Sequence, residues 1–188
     1  MHYNSCMGSS FENLKKAIID NSISKKWEDA VLEWTIIDTE EDEFNESKCI
    51  CGKENIKYLH RIQNIHNKNE LFPIGSTCIK KFDRADLNEL INIREKLFKL
   101  YHAVDNREFL ELSPDLFNRK LIKYLYDEGA FDSDNKMYPA YENYIFFLKM
   151  FNKRNEKTVG EDKKVKAILL NNIRPFIQKR LRNKIIQK

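Results

Sequence analysis

Hydrophobic residues recur at helical spacing over most of the chain, and the first such segment lies near the N-terminus. Ser9 followed by Glu12 forms a capping-box pattern, which predicts a helix from Ser9 to about Asp20. One face of this helix is apolar and carries Phe11, Leu14 and Ile18.

A second apolar stripe follows Ser24 and predicts a further short helix. Its members recur at intervals of three, four and seven residues and comprise Trp27, Ala30, Val31 and Trp34. A stripe of this kind ordinarily packs against a hydrophobic core. Residues 35–39 then have the pattern of a β-strand, which leads into an acidic loop.

The C-terminal half of the chain is predicted to be helical. Apolar residues at helical spacing predict a helix over residues 87–104. Pro114 suits the first turn of another helix, with Ser113 as its N-cap and Gly129 just after its end. This second helix therefore covers residues 114–128.

Two more helices are predicted beyond residue 140. Residues 141–153 form a strongly aromatic helix, and residues 163–188 form a final helix in which Pro175 either introduces a kink or starts the second half. The final helix has an apolar stripe that we expect to dock on the body, namely Val165, Ile168, Leu169, Ile173, Phe176 and Ile177.

Between the N-terminal helices and this helical half lies a short segment with β periodicity. Residues 55–64 alternate as a strand, residues 67–69 suit a turn, and residues 71–74 suit a returning strand. The fold class predicted is mainly α with a small β-hairpin. The predicted division is N-terminal helices and acidic loop (1–46), hairpin module (47–83), helical domain (84–158) and basic C-terminal helix (159–188).

Composition adds that the chain can bury a core. Apolar residues make up 41% of 188 residues and include twelve Phe and eight Tyr. No apolar run approaches the roughly 18 residues of a membrane span, and the N-terminus has no signal-peptide pattern. We therefore expect a cytoplasmic protein that does not contact the membrane. The chain is rich in Lys, Asn and Ile and poor in Gly and Pro, which is typical of AT-rich coding and favours a bacterial host cell.

The formal net charge of +4 conceals two segments of opposite sign. From Lys163 to Lys188 there are nine basic residues and no acidic one, whereas Asp38 to Glu46 holds six acidic residues. The candidate basic contacts to nucleic acid or a partner are Lys163, Lys164, Lys166, Arg174, Lys179, Arg180, Arg182 and Lys184. The candidate acidic partner loop comprises Asp38, Glu40, Glu41, Asp42, Glu43 and Glu46.

The cysteines indicate a metal site. Cys49 and Cys51 are separated by one residue and followed by Gly52, which permits a sharp turn, and Cys78 lies at the predicted start of a helix. Two thiols so close in sequence suit a metal better than a disulfide. With His60 on the intervening strand, they predict one structural Zn²⁺ bound by four ligands. The hairpin module (47–83) is therefore predicted to be zinc-binding, and the order of cysteine turn, hairpin and helix predicts a treble-clef-like α+β module.

Two other residues compete with His60 for the fourth position. His66 lies at the predicted hairpin tip and would have to fold back, and Cys6 lies near the N-terminus. His60 is preferred because it lies in the middle of the strand, on the same side as that strand's apolar face.

These motifs resemble those of a group of small bacterial and phage proteins with the pattern W-x-x-A-x-x-E-W, then C-x-C-G, a hydrophobic strand, and G-x-x-C-[IV]-x-x-F. The matching residues are Trp27, Ala30, Glu33, Trp34, Cys49, Cys51, Gly52, Ile56, His60, Ile62, Asn64, Gly75, Cys78, Ile79 and Phe82. The mid-strand position is often Cys in that group, and here it is His60. A second similar stretch runs from Leu121 to Phe151. The resemblance implies a zinc site and a mobile-element setting, and it implies no catalytic activity.

No enzyme motif is present: the P-loop, G-x-G-x-x-G, G-x-S-x-G and zinc-deaminase patterns are all missing from the sequence. Glu54 is the nearest candidate base, but a Glu beside a turn is ordinarily exposed to solvent. We therefore expect a non-catalytic protein. The resemblance to phage proteins, together with the segregated charges, favours an accessory protein that inhibits a host nucleoprotein defence complex, such as a CRISPR nuclease. The alternative is a zinc-dependent DNA- or RNA-binding protein that uses the basic C-terminal helix.

Overall fold

The computed structural model describes residues 5–132 and 139–186, and it describes side chains only for residues 9–132 and 139–180. Three strands form one antiparallel sheet in the order β1-β2-β3, namely β1 (Trp34–Glu41), β2 (Tyr58–Asn64) and β3 (Glu70–Gly75). The helices are α1 (Ser5–Asp20), α2 (Trp27–Ala30), α3 (Ser76–Lys80), α4 (Ala85–Asp105), α5 (Arg119–Asp127), α6 (Ala140–Asn152), α7 (Val159–Ile168) and α8 (Arg174–Ile186).

The prediction of a mainly helical chain with a small β element is confirmed. The β element is larger than predicted, because β1 pairs with β2 and converts the expected hairpin into a three-stranded sheet. No helix in the described ranges is both long and apolar enough to cross a membrane. The chain forms two compact units, Met1–Asn92 and Ile93–Lys188; the predicted four-part division is finer and stays a prediction.

The first unit has a core of aliphatic and aromatic side chains beneath the sheet. Trp34, Ile62 and Ile74 are fully buried there, together with Leu14 and Ile18 of α1. The predicted apolar face of α1 is therefore correct. Its predicted start is wrong, since the helix begins at Ser5 and Ser9 lies inside it.

The predicted stripe after Ser24 continues across a change of secondary structure. α2 covers only four residues and is followed by a 3₁₀ turn (Val31–Glu33), so that Trp34 already belongs to β1. The indole Nε1 of Trp34 donates to Ser22 Oγ at 2.8 Å. The stripe is buried as predicted at Ala30, Val31 and Trp34.

Strand β1 contains a bulge at Ile37. Ile36 pairs with Ile62 and Asp38 pairs with Arg61, so one residue of β1 has no partner in this register. A bulge reverses the alternation of side chains beyond it. As a result Ile36 and Thr39 are buried, whereas Ile37 and Asp38 are exposed.

In the second unit the helix predicted over 114–128 begins later than expected. α5 starts at Arg119, and its N-cap is Asn118, whose side chain accepts from Leu121 N at 2.7 Å. Ser113 instead accepts, through its carbonyl, from Phe117 N in a turn. Gly129, with φ +80°, follows the end of the helix as predicted.

The C-terminal helix begins before residue 163, where its helical pattern was predicted to start, because Thr158 and Glu161 form a reciprocal capping box at the start of α7. A π-helical segment (Leu169–Ile173) joins α7 to α8, and Pro175 lies at the start of the second half. The predicted apolar stripe docks on the core of this unit: five members are buried and Phe176 is partly buried.

Candidate metal centre

A tight turn brings the first two cysteines together. Gly52 N donates to the carbonyl of Cys49, and Cys49 N donates to the carbonyl of Lys53, both at 2.8 Å. Gly52 has φ +93°, a left-handed conformation in which a residue with a Cβ is strained. The glycine after the second cysteine therefore closes the turn that carries both thiols.

The third cysteine reaches the site from the end of the sheet. Ile50 N donates to the carbonyl of Pro73 at 3.0 Å, which joins the cysteine turn to β3. β3 ends at Gly75 and α3 begins at Ser76, so Cys78 lies in the first turn of the helix that follows the strand. A Cβ at Gly75 would lie 3.3 Å from Cγ2 of Ile56, so the backbone at Gly75 packs closely against the Ile56 side chain.

The three thiols form one buried group. The Sγ atoms of Cys49, Cys51 and Cys78 all lie within 4.8 Å of one another, and each residue is no more than 3% exposed. Sγ of Cys49 lies 3.6 Å from Sγ of Cys78. Tetrahedral zinc with Zn–S bonds of about 2.3 Å requires sulfur separations of about 3.8 Å. The spacing therefore fits three ligands of one tetrahedral ion.

Backbone amides stabilise negative charge on the sulfurs. Gly75 N donates to Sγ of Cys49 and Lys53 N donates to Sγ of Cys51, both at 3.4 Å. The close contact between the two sulfurs lowers the pKa of Cys49 to about 5 and raises the pKa of Cys78. A thiolate at Cys49 is the form that binds a metal cation.

His60, the predicted fourth ligand, lies outside this group of three. Its side chain is fully buried, with Nδ1 3.0 Å from Thr39 Oγ1 and Nε2 2.9 Å from Ser76 Oγ. Ser76 is the first residue of α3, two positions before Cys78. Neither hydroxyl partner was predictable from the sequence, although Ser76 lies between Gly75 and Cys78 of the G-x-x-C motif.

The two alternative ligands lie elsewhere. His66 is exposed in the turn after β2, where its backbone N donates to Asn64 Oδ1. Cys6 lies in α1, but its side chain is outside the described residues. Asn13, two helical turns further along α1, donates from Nδ2 to the carbonyl of Cys51 at 3.4 Å. Among the described residues, the three thiols are the only group with the spacing of a metal site.

Comparison of this chain with protein-family models, curated protein sequences and solved structures finds no match. The resemblance to small bacterial and phage proteins therefore depends on the motifs alone.

Glu54, the nearest candidate base, forms an ion pair with Lys48 at 3.1 Å, and both side chains are more than half exposed. A carboxylate in this position is solvated and paired with a surface lysine. It therefore offers no buried base beside the thiols.

The acidic segment is partly strand and partly turn. The strand predicted over residues 35–39 extends to Glu41, so the prediction of Glu40 and Glu41 as loop residues is wrong. Asp38, Glu40 and Glu41 belong to β1, where Glu41 pairs with Lys57 at 3.2 Å and Glu40 lies 3.9 Å from Arg61. The strand extends to Glu41 because its pairing with β2 continues to Tyr58.

Residues 42–46 form a defined turn, which we name the acidic turn. Asp42 accepts from three backbone amides, those of Phe44, Glu46 and Ser47, at 2.7 to 3.0 Å. The pKa of Asp42 is lowered, chiefly by the hydrogen bond from the Ser47 side chain. Phe44 is 81% exposed between the exposed residues Glu43 and Glu46.

Several predicted basic contacts have partners within the second unit. Arg180 pairs with Glu128 and donates to Tyr124 Oη, and Arg174 donates to the carbonyl of Glu108. Further contacts join Lys166 to Asp162 at 2.6 Å and Lys164 to the ring of Phe146 at 4.4 Å. Lys163 and Lys179 are exposed, and the side chains of Arg182 and Lys184 lie outside the described residues.

Proposed function

We propose that the chain binds one Zn²⁺ ion through Cys49, Cys51, Cys78 and His60, and that the ion has a structural role. The observation that carries this proposal is the buried group of three thiols, whose sulfurs all lie within 4.8 Å of one another and two of which are 3.6 Å apart. Three sulfurs and one imidazole are a common closed ligand set of structural zinc. A fourth protein ligand leaves no position for a catalytic water.

A bound ion would connect three parts of the first unit. Cys49 and Cys51 lie on the turn before β2, Cys78 lies on α3 after β3, and His60 lies on β2. The order of turn, hairpin and helix supports a treble-clef-like module. Binding free energy then contributes to the stability of a small sheet whose own core is limited.

The test is metal content after purification under reducing conditions. Elemental analysis is expected to find one zinc per chain, released when the thiols are modified. Cys51→Ser removes a proposed ligand and Lys53→Ser, at the exposed neighbouring turn position, serves as the matched control. Zinc that is absent from the wild type, or retained in full by Cys51→Ser, contradicts the proposed site.

We further propose that the protein is not an enzyme and acts by binding and inhibiting a host nucleoprotein defence complex, such as a CRISPR nuclease. The observation that supports this is the acidic turn, which presents an exposed aromatic side chain between carboxylates. Exposed aromatic residues on rigid turns are typical anchors of protein interfaces. Carboxylates around the anchor complement a basic nucleic-acid-binding surface.

This second proposal is tested by plating a targeted phage on bacteria with an active CRISPR system. Expression of the wild-type chain is expected to raise the plating efficiency, and Phe44→Ala with Glu43→Lys is expected to remove the effect. Phe109→Ala, at another exposed aromatic, is the control and should act as wild type. Equal plating with and without the wild-type chain contradicts inhibition of the nuclease tested.

Nucleic-acid binding by the C-terminal helix is the alternative, supported by the exposed Lys163 and Lys179 in a segment without acidic residues. Fluorescence anisotropy with labelled duplex and single-stranded oligonucleotides measures it. The expected result is affinity that falls steeply with added salt and is weakened by Lys163→Glu with Lys179→Glu. Affinity that is insensitive to salt and to both changes excludes this alternative.

A further inference from the structure

His60 is held between two hydroxyl groups on different elements. Thr39 of β1 lies on one side, at 3.0 Å from Nδ1, and Ser76 of α3 lies on the other, at 2.9 Å from Nε2. Both hydroxyls can donate or accept, so the two contacts are compatible with either neutral tautomer of the imidazole. Which nitrogen carries the proton decides which nitrogen can bind a cation.

The bulge at Ile37 creates the contact between Thr39 and His60. Thr39 and His60 are Cα partners in the register that follows the bulge, and both side chains are buried. In uninterrupted alternation from Ile36, Asp38 would point inward and Thr39 outward. The bulge therefore places a hydroxyl, rather than a carboxylate, against Nδ1.

The two nitrogens of His60 face different parts of the unit. Nε2 lies against the first residue of α3, the helix that carries Cys78, whereas Nδ1 lies against β1, the strand at the opposite edge of the sheet from β3. Only Nε2 is thus next to an element that holds a thiol. Histidines that bind metals almost always donate their other ring N–H to a fixed acceptor, which sets the tautomer and the ring orientation.

We propose that Thr39 is the positioning residue for His60: its hydroxyl accepts from Nδ1–H and leaves the lone pair of Nε2 for the metal, while the Ser76 hydroxyl occupies Nε2 in the metal-free chain. This inference rests on the proposed zinc site. Thr39 supports metal binding because it fixes the tautomer. Ser76 opposes it, because the hydrogen bond to Nε2 must break before the nitrogen can bind a cation.

The two hydroxyls therefore have opposite expected effects on affinity. Thr39→Val keeps the shape of the side chain but removes the acceptor, and loss of such a partner typically weakens metal binding by about 10- to 100-fold. Thr39→Ser retains the hydroxyl and is expected to bind zinc as the wild type does. Ser76→Ala removes the competing hydrogen bond and is expected to tighten binding by about 2- to 10-fold.

The experiment measures Zn²⁺ affinity by chelator competition, together with the visible spectrum of the Co²⁺-loaded chain, for the full-length wild type and each variant. Affinities are expected in the order Ser76→Ala, wild type with Thr39→Ser, and Thr39→Val. The Co²⁺ bands of all four are expected to indicate three sulfurs and one nitrogen, and His60→Ala is expected to change the bands. Nitrogen NMR of the imidazole is expected to find the proton on Nδ1 in the metal-free wild type.

Three results would overturn the inference while leaving the three thiols as metal ligands. The first is equal affinity for Thr39→Val and wild type, and the second is a proton on Nε2. The third is an unchanged Co²⁺ spectrum in His60→Ala with an altered one in Cys6→Ser, which would assign the fourth position to Cys6. Failure of the proposed site itself differs from all three, because Cys51→Ser would then bind metal as tightly as the wild type.

Discussion

Asn64 donates from Nδ2 to the carboxylate of Glu33 at 2.6 Å, and both side chains are buried. The same carboxylate accepts from the backbone amides of Ile23 and Ser24, each at 2.8 Å. Glu33 thereby joins the end of β2 to the segment between α1 and α2. Glu33 and Asn64 are also among the matching motif residues of the first unit. The buried hydrogen bond between them is a physical reason for a carboxylate at position 33 and an amide at position 64.

Glu33 is expected to make the first unit sensitive to acid. Burial alone would raise the pKa of Glu33, but hydrogen bonds from Asn64, Ser24 and Ile23 outweigh it and lower the pKa to about 2. A lowered folded-state pKa stabilises the fold above the unfolded value of 4.5 and loses that contribution as pH falls towards 2. Chemical denaturation at several pH values measures how the free energy of unfolding changes with pH.

Glu33→Gln removes both the charge and its pH dependence. The variant is expected to lose about 1.5–3 kcal/mol at neutral pH, because hydrogen bonds to a buried charged group are replaced by weaker ones. Between pH 5 and pH 3 its stability should fall less than that of the wild type. Glu43→Gln in the acidic turn is the control, and a parallel fall in wild type and Glu33→Gln would contradict the role given to Glu33.

Removal of the metal is expected to lower the thermal stability of the first unit. An ion that binds only the folded state stabilises it by about 4 kcal/mol at a free concentration a thousand times its Kd. A chelator should therefore lower the midpoint of thermal unfolding of the wild type, and added Zn²⁺ should restore it. Cys51→Ser is the comparison: an equal response to chelator in this variant contradicts stabilisation through the thiols.

Gly52→Ala tests the turn that carries two of the thiols. The Cβ would have room, since its nearest neighbour is Asn13 Nδ2 at 3.9 Å, so the effect isolates the strain of φ +93°. We expect a loss of about 1–2 kcal/mol in stability, with weaker zinc binding. Gly160→Ala, in α7 with nothing within 4 Å of its Cβ, is expected to stabilise by about 0.5–1 kcal/mol. Equal effects at the two glycines contradict the strain argument.

Asn118→Ala tests the start of α5. Its side chain caps Leu121 N, and loss of an N-cap side chain typically lowers stability by about 0.5–2 kcal/mol. Ser113→Ala removes the hydroxyl of the residue that the sequence pattern favoured as the cap. That change should alter the midpoint of denaturation little. A larger loss of stability in Ser113→Ala than in Asn118→Ala would support Ser113 as the N-cap, as the sequence pattern predicted.

Short, specific motifs predicted the first unit well. The spacing of Cys49, Cys51 and Cys78 predicted that the three thiols lie together. The single residue between Cys49 and Cys51 requires a tight turn, and Gly52 permits it. The pairing of β1 with β2 depends instead on contacts distant in sequence, and the bulge at Ile37 leaves no mark in an alternating pattern. The contact of His60 with Thr39 follows from that register, and its contact with Ser76 follows from the pairing of β2 with β3. Neither contact was predictable.

Helix starts were the least predictable feature of the chain. Ser113 and Pro114 have good intrinsic preferences for a helix start, but Asn118 forms the cap because the intervening residues make a turn that buries Phe117. In the same way the capping box of Thr158 and Glu161 starts α7 before the basic segment. By contrast, the burial of the apolar stripe of the C-terminal helix was predicted correctly from its helical spacing alone.

The cysteines bracket the β2–β3 hairpin, with residues 52–77 between the second and third thiols. A cation held by both ends converts this stretch into a closed loop, and loop closure removes conformational entropy from the unfolded ensemble. The ion would thus act on the denatured chain as well as on the sheet. If thiolates of the denatured chain retain the ion, part of its stabilising effect is cancelled. Unfolding then exposes less surface, so the free energy of unfolding falls less steeply with denaturant concentration.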